Sequence, residues 1–318
     1  MLNDISNFIN KYCLSLLLII GCLGNGLSFI ILSRKSISSG SLAVYFRVLA
    51  ICDSLALITG LIPVFIYQIS DFNMTTINDW SCRIQRFVNF FFGDVACWIL
   101  ILVSFERFIA VVYPLKLKSW STKSKSILFT FLLFIPSCLK NFMAFVSLEL
   151  KVITSKDEVG NQSSSEIKFC GGKKEYFLYE NVVRPMISLI GFYFLTALAI
   201  FVTNAIISCR MRERLKTMRE DTIGISSSNS QVKQSKSLLK MSLFVGILFL
   251  VFFTPSISIW TTMSLFTFYN VDINPNLMGF LYALTDILSY LQYSTNFFIY
   301  VISGRRFRKE LINLIHCR

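Results

Sequence analysis

The sequence predicts an all-α membrane protein, a seven-transmembrane helix bundle with a short amphipathic eighth helix. Hydrophobic residues make up 54% of the 318-residue chain and charged residues only 15%. The mean hydropathy of +0.61 is therefore too high for a soluble domain, which must cover its apolar surface with polar groups. Apolar segments of about 20 residues or more, the length that crosses a bilayer as a helix, recur seven times.

The seven predicted spans are separated by polar or basic segments. Their expected bounds are 12–32, 43–69, 82–114, 127–148, 182–208, 238–268 and 277–302. Residues 1–11 are expected to form a short N-terminal segment, without the basic stretch and cleavage site of a signal peptide. Residues 303–318 are expected to form an amphipathic helix, because the apolar residues Phe307, Leu311 and Leu314 follow one another at helical spacing. The expected domains are thus 1–11, 12–302 and 303–318.

The distribution of charge orients the predicted bundle. The formal net charge is +13, and the excess of Lys and Arg lies after the first, third and fifth spans and in the C-terminal tail. The loops on the other side balance basic and acidic residues. The positive-inside rule therefore predicts a multi-pass plasma-membrane protein with an extracellular N-terminus and a cytoplasmic C-terminus. Because the basic residues serve this purpose, they do not indicate a nucleic-acid partner.

Cysteines and glycosylation sequons agree with this orientation. Cys82, Cys170 and the sequons at Asn73 and Asn161 fall in segments predicted to be extracellular, where disulfides and glycans form. No CxxC pair occurs in the sequence, so we expect no metal site built from cysteines. Cys317 follows the amphipathic helix and is a candidate for palmitoylation, which would hold that helix against membrane lipid.

Seven motifs occur in the order and topology of a known family. They are Gly24-Asn25, Leu49-Ala-Ile-Cys-Asp53, Cys82, Glu106-Arg107-Phe108 with Ala110-Val-Val-Tyr-Pro-Leu115, Phe249 with Phe252-Phe-Thr-Pro255, Asn296-Phe-Phe-Ile-Tyr300, and Arg305-Arg-Phe-Arg308. On these motifs the chain resembles the rhodopsin-like (class A) G-protein-coupled receptors over essentially its whole length. The Asn-Phe-x-x-Tyr pattern is most like invertebrate receptors for short amidated neuropeptides of the FMRFamide and myosuppressin type.

The chain departs from the family pattern at several positions. The tryptophan of span four is absent, and Thr196 stands in place of the usual proline of span five. Phe253 stands where the family usually has a tryptophan above the proline of span six. Phe297 replaces the proline of the Asn-Pro-x-x-Tyr motif.

The resemblance implies a receptor without enzymatic activity. It would bind an extracellular ligand, expected to be a short neuropeptide, and activate a heterotrimeric G protein. It also implies a disulfide between Cys82 and Cys170, which would tie the outer end of span three to the longest outer loop.

The same resemblance implies an activation switch at the inner end of the bundle. Arg107 would pair with Glu106 at rest and move toward Tyr300 on activation. Phe249 and Phe253 share a face of span six at i and i+4 beside the kink expected at Pro255. They would form the lever that couples the ligand to the switch, or alternatively a simple aromatic packing contact.

Three polar residues are expected within the membrane at mid-depth. Asn25, Asp53 and Asn296 resemble the cluster that binds an allosteric sodium ion in this family, and we expect no other cofactor. A hydrogen-bonded structural cluster without an ion is the alternative. Small polar partners are fewer here than usual, because Ala96 and Tyr293 stand where the family often has small hydroxyl side chains. An ionisable residue inside a bilayer is costly unless it is paired or solvated, so Asp53 requires one of these explanations.

Helical spacing predicts one inward patch on each of three spans in the outer half of the bundle. Eight residues are the candidate ligand-binding residues: Arg86, Asn89, Gly93, Ser256, Ile257, Trp260, Asp286 and Tyr290. Asp286 is the acid expected to meet a cationic group on the ligand. Asp94 lies one position off the Asn89 face, so a packing role is as reasonable for it as a ligand contact.

Two of these positions exclude familiar ligand classes. Asn89 stands where amine receptors carry an aspartate, and Tyr290 stands where opsins carry the lysine that holds retinal. A peptide ligand fits best. The alternatives are a chemosensory or non-coupling seven-helix receptor and, from a different class, a transporter or channel, which would show inverted internal repeats.

Overall fold

The computed structural model describes residues 1–38, 40–154, 166–220 and 228–316 of the chain. Within these residues, seven long helices and one short C-terminal helix account for the predicted spans and tail. Their order follows the sequence: α1 Leu2–Ser33, α2 Ser41–Ser70, α3 Asp79–Val112, α4 Lys123–Ser147, α5 from Tyr179 to Glu220, α6 Ser228–Phe268, α7 Pro275–Ser303 and α8 Arg305–Ile315. The predicted sites Asn161 and Cys317 lie outside the described residues.

Six of the helices in the described chain, α1 to α6, are long and apolar enough to cross a membrane by length and composition alone. α7 is less apolar because it carries a row of polar side chains. Thr285, Gln292, Ser294 and Asn296 are all buried within the bundle. At 29 residues α7 is about 44 Å long, which is enough to span the hydrocarbon core. The prediction of an all-α seven-helix bundle is confirmed.

The helix α3 lies at the centre of the bundle and packs against α2, α4, α5 and α6. Asn78 begins it with a capping box, in which the Asn78 side chain and Ser81 satisfy each other's backbone amides. α1 packs on α2 and α7, where Gly21 permits close approach. A Cβ at Gly21 would lie 2.5 Å from Leu57 and 2.6 Å from Ser294.

A β-hairpin covers the end of α3 that carries Cys82. Strands β1 Leu148–Thr154 and β2 Glu166–Gly172 pair antiparallel, with Leu150 opposite Cys170. The predicted disulfide between Cys82 and Cys170 is present, with the two Cα atoms 5.5 Å apart. Asp79 also accepts a hydrogen bond of 2.7 Å from the backbone amide of Leu150. The segment expected as a long loop is therefore fastened to α3 at two points.

The C-terminal helix α8 turns away from α7 after Gly304. Its Phe307 is buried, with its ring centroid 5.6 Å from that of Tyr300. Glu310 accepts hydrogen bonds from Ser36 at 2.8 Å and from Arg34 at 3.2 Å. The Ser36 hydroxyl and the Arg34 guanidinium hold the pKa of Glu310 below its usual value. α8 is thus joined to the segment between α1 and α2, although its placement on lipid stays a prediction.

An ion pair lies inside the bundle between α3 and α4. The Lys140 ammonium lies 2.8 and 2.9 Å from the two oxygens of Asp94, and Asn141 donates to the same carboxylate at 2.6 Å. Lys140 is 6% exposed and Asp94 is fully buried. Asp94 therefore has the packing role that the sequence left open, and its partner is a lysine that the sequence analysis did not single out.

We expect Lys140→Met to destabilise the protein strongly, because it leaves the Asp94 carboxylate buried without a cation. Breaking a buried pair from one side costs about 3–5 kcal/mol, whereas replacing both members by neutral groups is often nearly neutral. The double variant Asp94→Asn/Lys140→Met should therefore recover most of the loss. Thermal unfolding of the detergent-purified proteins measures both effects. A double variant no more stable than the single one would contradict the pairing energy assigned here.

Candidate functional site

A cavity of about 660 Å³ opens at the end of the bundle that carries the disulfide. α2, α3, α5, α6 and α7 contribute to its wall. All eight candidate ligand-binding residues line it: Arg86, Asn89, Gly93, Ser256, Ile257, Trp260, Asp286 and Tyr290. Helical spacing alone had grouped them by helix, and the bundle brings the three groups around one space. Whether these residues bind a ligand stays a prediction.

The cavity carries one positive and one negative side chain without an ion-pair partner. Among the described residues, no acid lies within 4 Å of the Arg86 guanidinium, and no donor bonds the Asp286 carboxylate. The guanidinium instead lies over the ring of Phe90, at 5.9 Å from its centroid. A second arginine, Arg184 of α5, lies 4.4 Å from the same ring and is neutralised by Glu180 at 2.7 Å. The two charges attract each other across the cavity but form no ion pair within 4 Å, so each is available to a ligand.

Hydrogen bonds join four helices beneath these charges. The Asn89 amide donates to the carbonyl of Ala56 at 3.3 Å and lies 3.4 Å from the Tyr290 hydroxyl. Ser256 of α6 bonds Ser289 of α7 at 2.6 Å. Gly60 of α2 makes room for the contact between Asn89 and Tyr290, since a Cβ there would lie 2.0 Å from the Tyr290 oxygen. The inner part of the cavity is therefore a polar, tightly packed surface.

An aromatic group lies where the cavity ends. The Phe253 ring contacts Tyr193 of α5, Phe249 of α6 and Tyr293 of α7, with centroid distances of 5.2, 5.2 and 5.5 Å. Phe249 and Phe253 are buried, and Pro255 lies within α6 two residues after Phe253. The predicted pair of rings on α6 thus packs as one unit, in contact with α5 and α7. Its action as a lever stays a prediction.

The contact from α5 depends on local irregularity in that helix. α5 has two π-helical segments, Tyr179–Val183 and Ile187–Phe194. The second contains Tyr193 and is followed by Thr196, whose hydroxyl bonds the carbonyl of Phe192. π-helical turns occur frequently at functional sites because each re-aims one side chain. Thr196, noted in the sequence in place of a proline, lies at the end of such a turn.

The mid-membrane polar cluster is partly assembled. Asn296 donates to the Asp53 carboxylate at 2.7 Å, whereas Asn25 donates to the backbone carbonyl of Tyr293 at 3.0 Å. Among the described residues, nothing bonds the side-chain oxygen of Asn296 or either polar atom of Gln292. Gln292 is one helical turn from Asn296 and 2% exposed. Sequence analysis missed Gln292, although its i, i+4 spacing to Asn296 on α7 was a signal.

The inner end of α3 differs from the expected resting pair. Glu106 accepts hydrogen bonds from the hydroxyls of Ser41 and Ser121, the latter at 2.8 Å. No ion pair within 4 Å joins Glu106 to Arg107 in the described structure, and Arg107 is buried without an acceptor there. The expected Glu106–Arg107 ion pair is therefore not formed in the described structure, where two neutral hydroxyls bond one oxygen of the carboxylate, Oε1. Tyr300 of α7 packs on Phe46 of α2, with the two ring centroids 5.0 Å apart.

The predicted glycan site Asn73 lies at the rim of the cavity. Its side-chain oxygen accepts from the backbone amide of Thr75 at 3.0 Å and from the Thr75 hydroxyl at 2.7 Å. The asparagine thereby caps the short 3-10 turn Met74–Thr76. Glycosylation of Asn73 stays a prediction.

The sequence matches the model of the 7 transmembrane receptor (rhodopsin family) over residues 24–300. The chain belongs to this receptor family. Its motifs from Gly24-Asn25 to Tyr300 fall within the matched range, and the transporter or channel alternative is set aside.

Three curated relatives are similar to the receptor. The FMRFamide peptide receptor frpr-18 of Caenorhabditis elegans is 27% identical over 144 residues, which are 44% of this chain and 33% of that receptor. Neuromedin-U receptor 2 of Mus musculus is 23% identical over 317 residues, 95% of this chain and 73% of the relative. The neuromedin U receptor homolog nmur-2 of Caenorhabditis elegans is 23% identical over 313 residues, 93% and 76% of the two chains. The match thus spans a third of the first relative and about three quarters of the other two.

Gly60→Ala should disturb the receptor cavity without unfolding the bundle. The new methyl group would overlap the Tyr290 hydroxyl and the Asn89 amide, which are the ends of side chains and can move apart. We expect Tyr290 to leave Asn89 and the response to an agonist to fall at least tenfold in potency. Gly279→Ala is the matched control, because a Cβ at Gly279 meets nothing within 4 Å. Equal potencies at equal surface expression would contradict the close packing at Gly60.

Proposed function

We propose that this receptor binds a short extracellular peptide in the 660 Å³ cavity and activates a heterotrimeric G protein at its opposite end. The proposal is supported by the family and by relatives whose names specify the peptides FMRFamide and neuromedin U. It implies an extracellular N-terminus, a cytoplasmic C-terminus and no enzymatic activity. The single observation that carries the ligand class is the pair of opposite charges in the cavity, neither of which has an ion pair or hydrogen bond among the described residues.

Arg86 and Asp286 favour a ligand that carries both a cationic group and an oxygen acceptor. A charge taken out of water without a partner is costly, and a ligand that supplies the partner recovers that cost on binding. The Asp286 carboxylate would receive a cationic side chain, for which the guanidinium of an arginine is well suited. The Arg86 guanidinium would receive a carbonyl or carboxylate oxygen of the same peptide. A monoamine offers only the first of these groups.

Peptide binding would reach the inner end through α6. Trp260, Ile257 and Ser256 line the cavity on α6, and Phe253 follows one turn below them. Movement at Pro255 would carry the inner half of α6 outward, since a proline inside a helix removes a hydrogen bond and permits bending. Arg107, which already lacks an acceptor among the described residues, would then meet the G protein.

A sodium ion at Asp53 is part of the same proposal. The Asn296 side-chain oxygen is buried beside the Asp53 carboxylate without a donor in the described structure, so it fits a cation ligand. The amide oxygen of Gln292 is a further candidate, because Ala96 carries no hydroxyl and the Tyr293 hydroxyl lies beside Gly93. A bound cation would neutralise Asp53 in the resting receptor. These side chains would hold it by oxygen atoms alone.

Asp286→Asn should lower the potency of arginine-containing amidated peptides. Cells expressing the receptor with a promiscuous G-protein subunit are challenged with such peptides, and calcium and cyclic AMP are measured. Loss of a hydrogen bond to a charged group costs about 1.5–3 kcal/mol, or roughly 10–150-fold in potency. Replacing the peptide arginine by neutral citrulline should lower potency by a similar factor at the native receptor. At the Asp286→Asn receptor the same replacement should cause little further loss of potency.

Two further variants control this experiment. Asp272→Asn changes an exposed acid between α6 and α7 and should leave potency unchanged. Arg107→Ala should abolish the response at equal surface expression. Silence toward every peptide, with normal expression, would refute the peptide assignment. A response that persists in Arg107→Ala would refute the role of Arg107.

Sodium should stabilise the purified receptor through Asp53. At a sodium concentration ten times the dissociation constant, the gain is about 1.4 kcal/mol, which is a rise of a few degrees in Tm. Thermal unfolding is compared in sodium chloride and in N-methyl-glucamine chloride at equal ionic strength. Asp53→Asn should remove the difference, and Gln292→Leu should reduce it, whereas Asp272→Asn should preserve it. A difference that survives in Asp53→Asn would place the sodium effect elsewhere.

A further inference from the structure

A second cavity, of about 260 Å³, lies at the opposite end of the bundle. It is enclosed by α2, α3, the short helix Pro114–Trp120 and α4. Its wall is mostly apolar, with Tyr45, Phe105, Trp120 and Phe129 among the lining residues. It shares no residue with the larger cavity. It is therefore a separate space, and the proposed peptide has no access to it.

The mouth of this inner cavity opens on the outer surface of the helix bundle. Phe105 is 45% exposed and Trp120 is 50% exposed, and both rings lie at its edge. Phe105 belongs to the membrane-spanning helix α3, one turn before Ile109. Large apolar rings on the outside of a membrane helix contact lipid rather than water. A molecule dissolved in the adjoining lipid leaflet can therefore enter.

One carboxylate interrupts the apolar wall. Glu106 lines the cavity, and its oxygen Oε1 accepts the hydroxyls of Ser41 and Ser121. Among the described residues, none donates a hydrogen bond to the second oxygen, Oε2. A carboxylate oxygen in an apolar environment is strongly stabilised by a cationic donor. The chemistry of the cavity is thus an apolar body joined to a positive group.

We propose that the inner cavity is a second ligand site, which takes a membrane-borne amphiphile with a protonated primary amine. The ammonium bonds Oε2 of Glu106, and the hydrocarbon part fills the space between Tyr45, Trp120 and Phe129. A fatty acid carries the wrong charge for this carboxylate. A long-chain alcohol offers a neutral donor and binds more weakly than the amine.

Occupancy of the site acts on the residue next to Arg107. Glu106 already lacks an ion pair with Arg107, and an ammonium at Oε2 adds a competing partner that keeps the two apart. The amphiphile therefore favours the arrangement in which Arg107 is free for a G protein. This consequence rests on the proposed function, whereas binding itself does not.

Photolabelling measures binding without any signalling readout. Three probes of equal chain length, a diazirine-bearing primary amine, alcohol and fatty acid, are added to the full-length receptor in phosphatidylcholine nanodiscs. Labelled positions are then mapped by mass spectrometry. We expect the amine to label the cavity segments of α3 and α4 at least tenfold more than the fatty acid, with the alcohol between them.

Two variants test the assignment independently. Phe129→Trp fills the cavity and should reduce amine labelling at least fivefold, whereas Phe131→Trp, on the exposed side of α4, should not change it. Glu106→Gln should lower amine labelling to the level of the alcohol. Thermal unfolding of each variant is first compared with that of the native protein. If Glu106→Gln fails to fold, Phe129→Trp still tests the cavity, because it leaves the carboxylate in place.

Other outcomes overturn the proposal. Equal labelling by the three probes, spread over the lipid-facing surface, would show only the annular lipid of any membrane protein. Preference for the fatty acid would refute the charge assignment, and labelling unchanged by Phe129→Trp would place the amine outside the cavity. Amine binding with no effect on signalling would refute only the consequence for Arg107. A failed peptide response with intact amine labelling would leave this site standing.

Discussion

Three charged side chains of α3, Asp94, Glu106 and Arg107, are buried within the bundle, where water is scarce and neighbouring side chains must stabilise a charge. An ionised group that loses its hydration in a bilayer is costly unless it is paired, so these residues fix which helices contact α3. Asp94 is paired by Lys140 of α4, and Glu106 is bonded by Ser41 and Ser121. Arg86 and Arg107 lack such partners among the described residues. The paired charges stabilise the bundle, and the unpaired ones lie at the two ends proposed for binding and signalling.

The stabilising pair also touches the part of α5 that reaches the cavity. The Lys140 ammonium lies 4.2 Å from the centroid of Phe192, whose ring packs on Trp98 at 5.6 Å. The next residue, Tyr193, contacts Phe253 on α6. Phe192 and Tyr193 are adjacent residues of the same π-helical segment, so a contact that fixes one limits the movement of the other. The ion pair of α3 and α4 therefore helps to set the position of a ring in contact with the proposed lever.

The sequence sufficed for features that depend on helical period, and it failed for contacts that depend on tertiary packing. Asn89 and Tyr290 could be placed in one cavity because both lie on inward faces read from spacing. The lysine that pairs with Asp94 could not, since nothing in the apolar run around Lys140 specifies which helix it meets. Glu106 illustrates the same limit. The resemblance implies the neighbouring Arg107 as its partner, but the hydroxyl of Ser41, remote in sequence, bonds Oε1 of the carboxylate instead.

The two cavities lie at opposite ends of α3, and this separation constrains how they could communicate. From Arg86 to Arg107 the helix rises about 31 Å, too far for direct electrostatic contact through screened surroundings. A ligand shifts a conformational equilibrium only by its difference in affinity between the two states. In the outer cavity that difference must arise at α6, through Phe253 and Pro255, because α3 is held by the Asp94–Lys140 pair. In the inner cavity it arises at Glu106 itself. If both ligands favour the same arrangement of Arg107, each must raise the affinity of the other by an equal factor, since coupling between two binding sites is reciprocal.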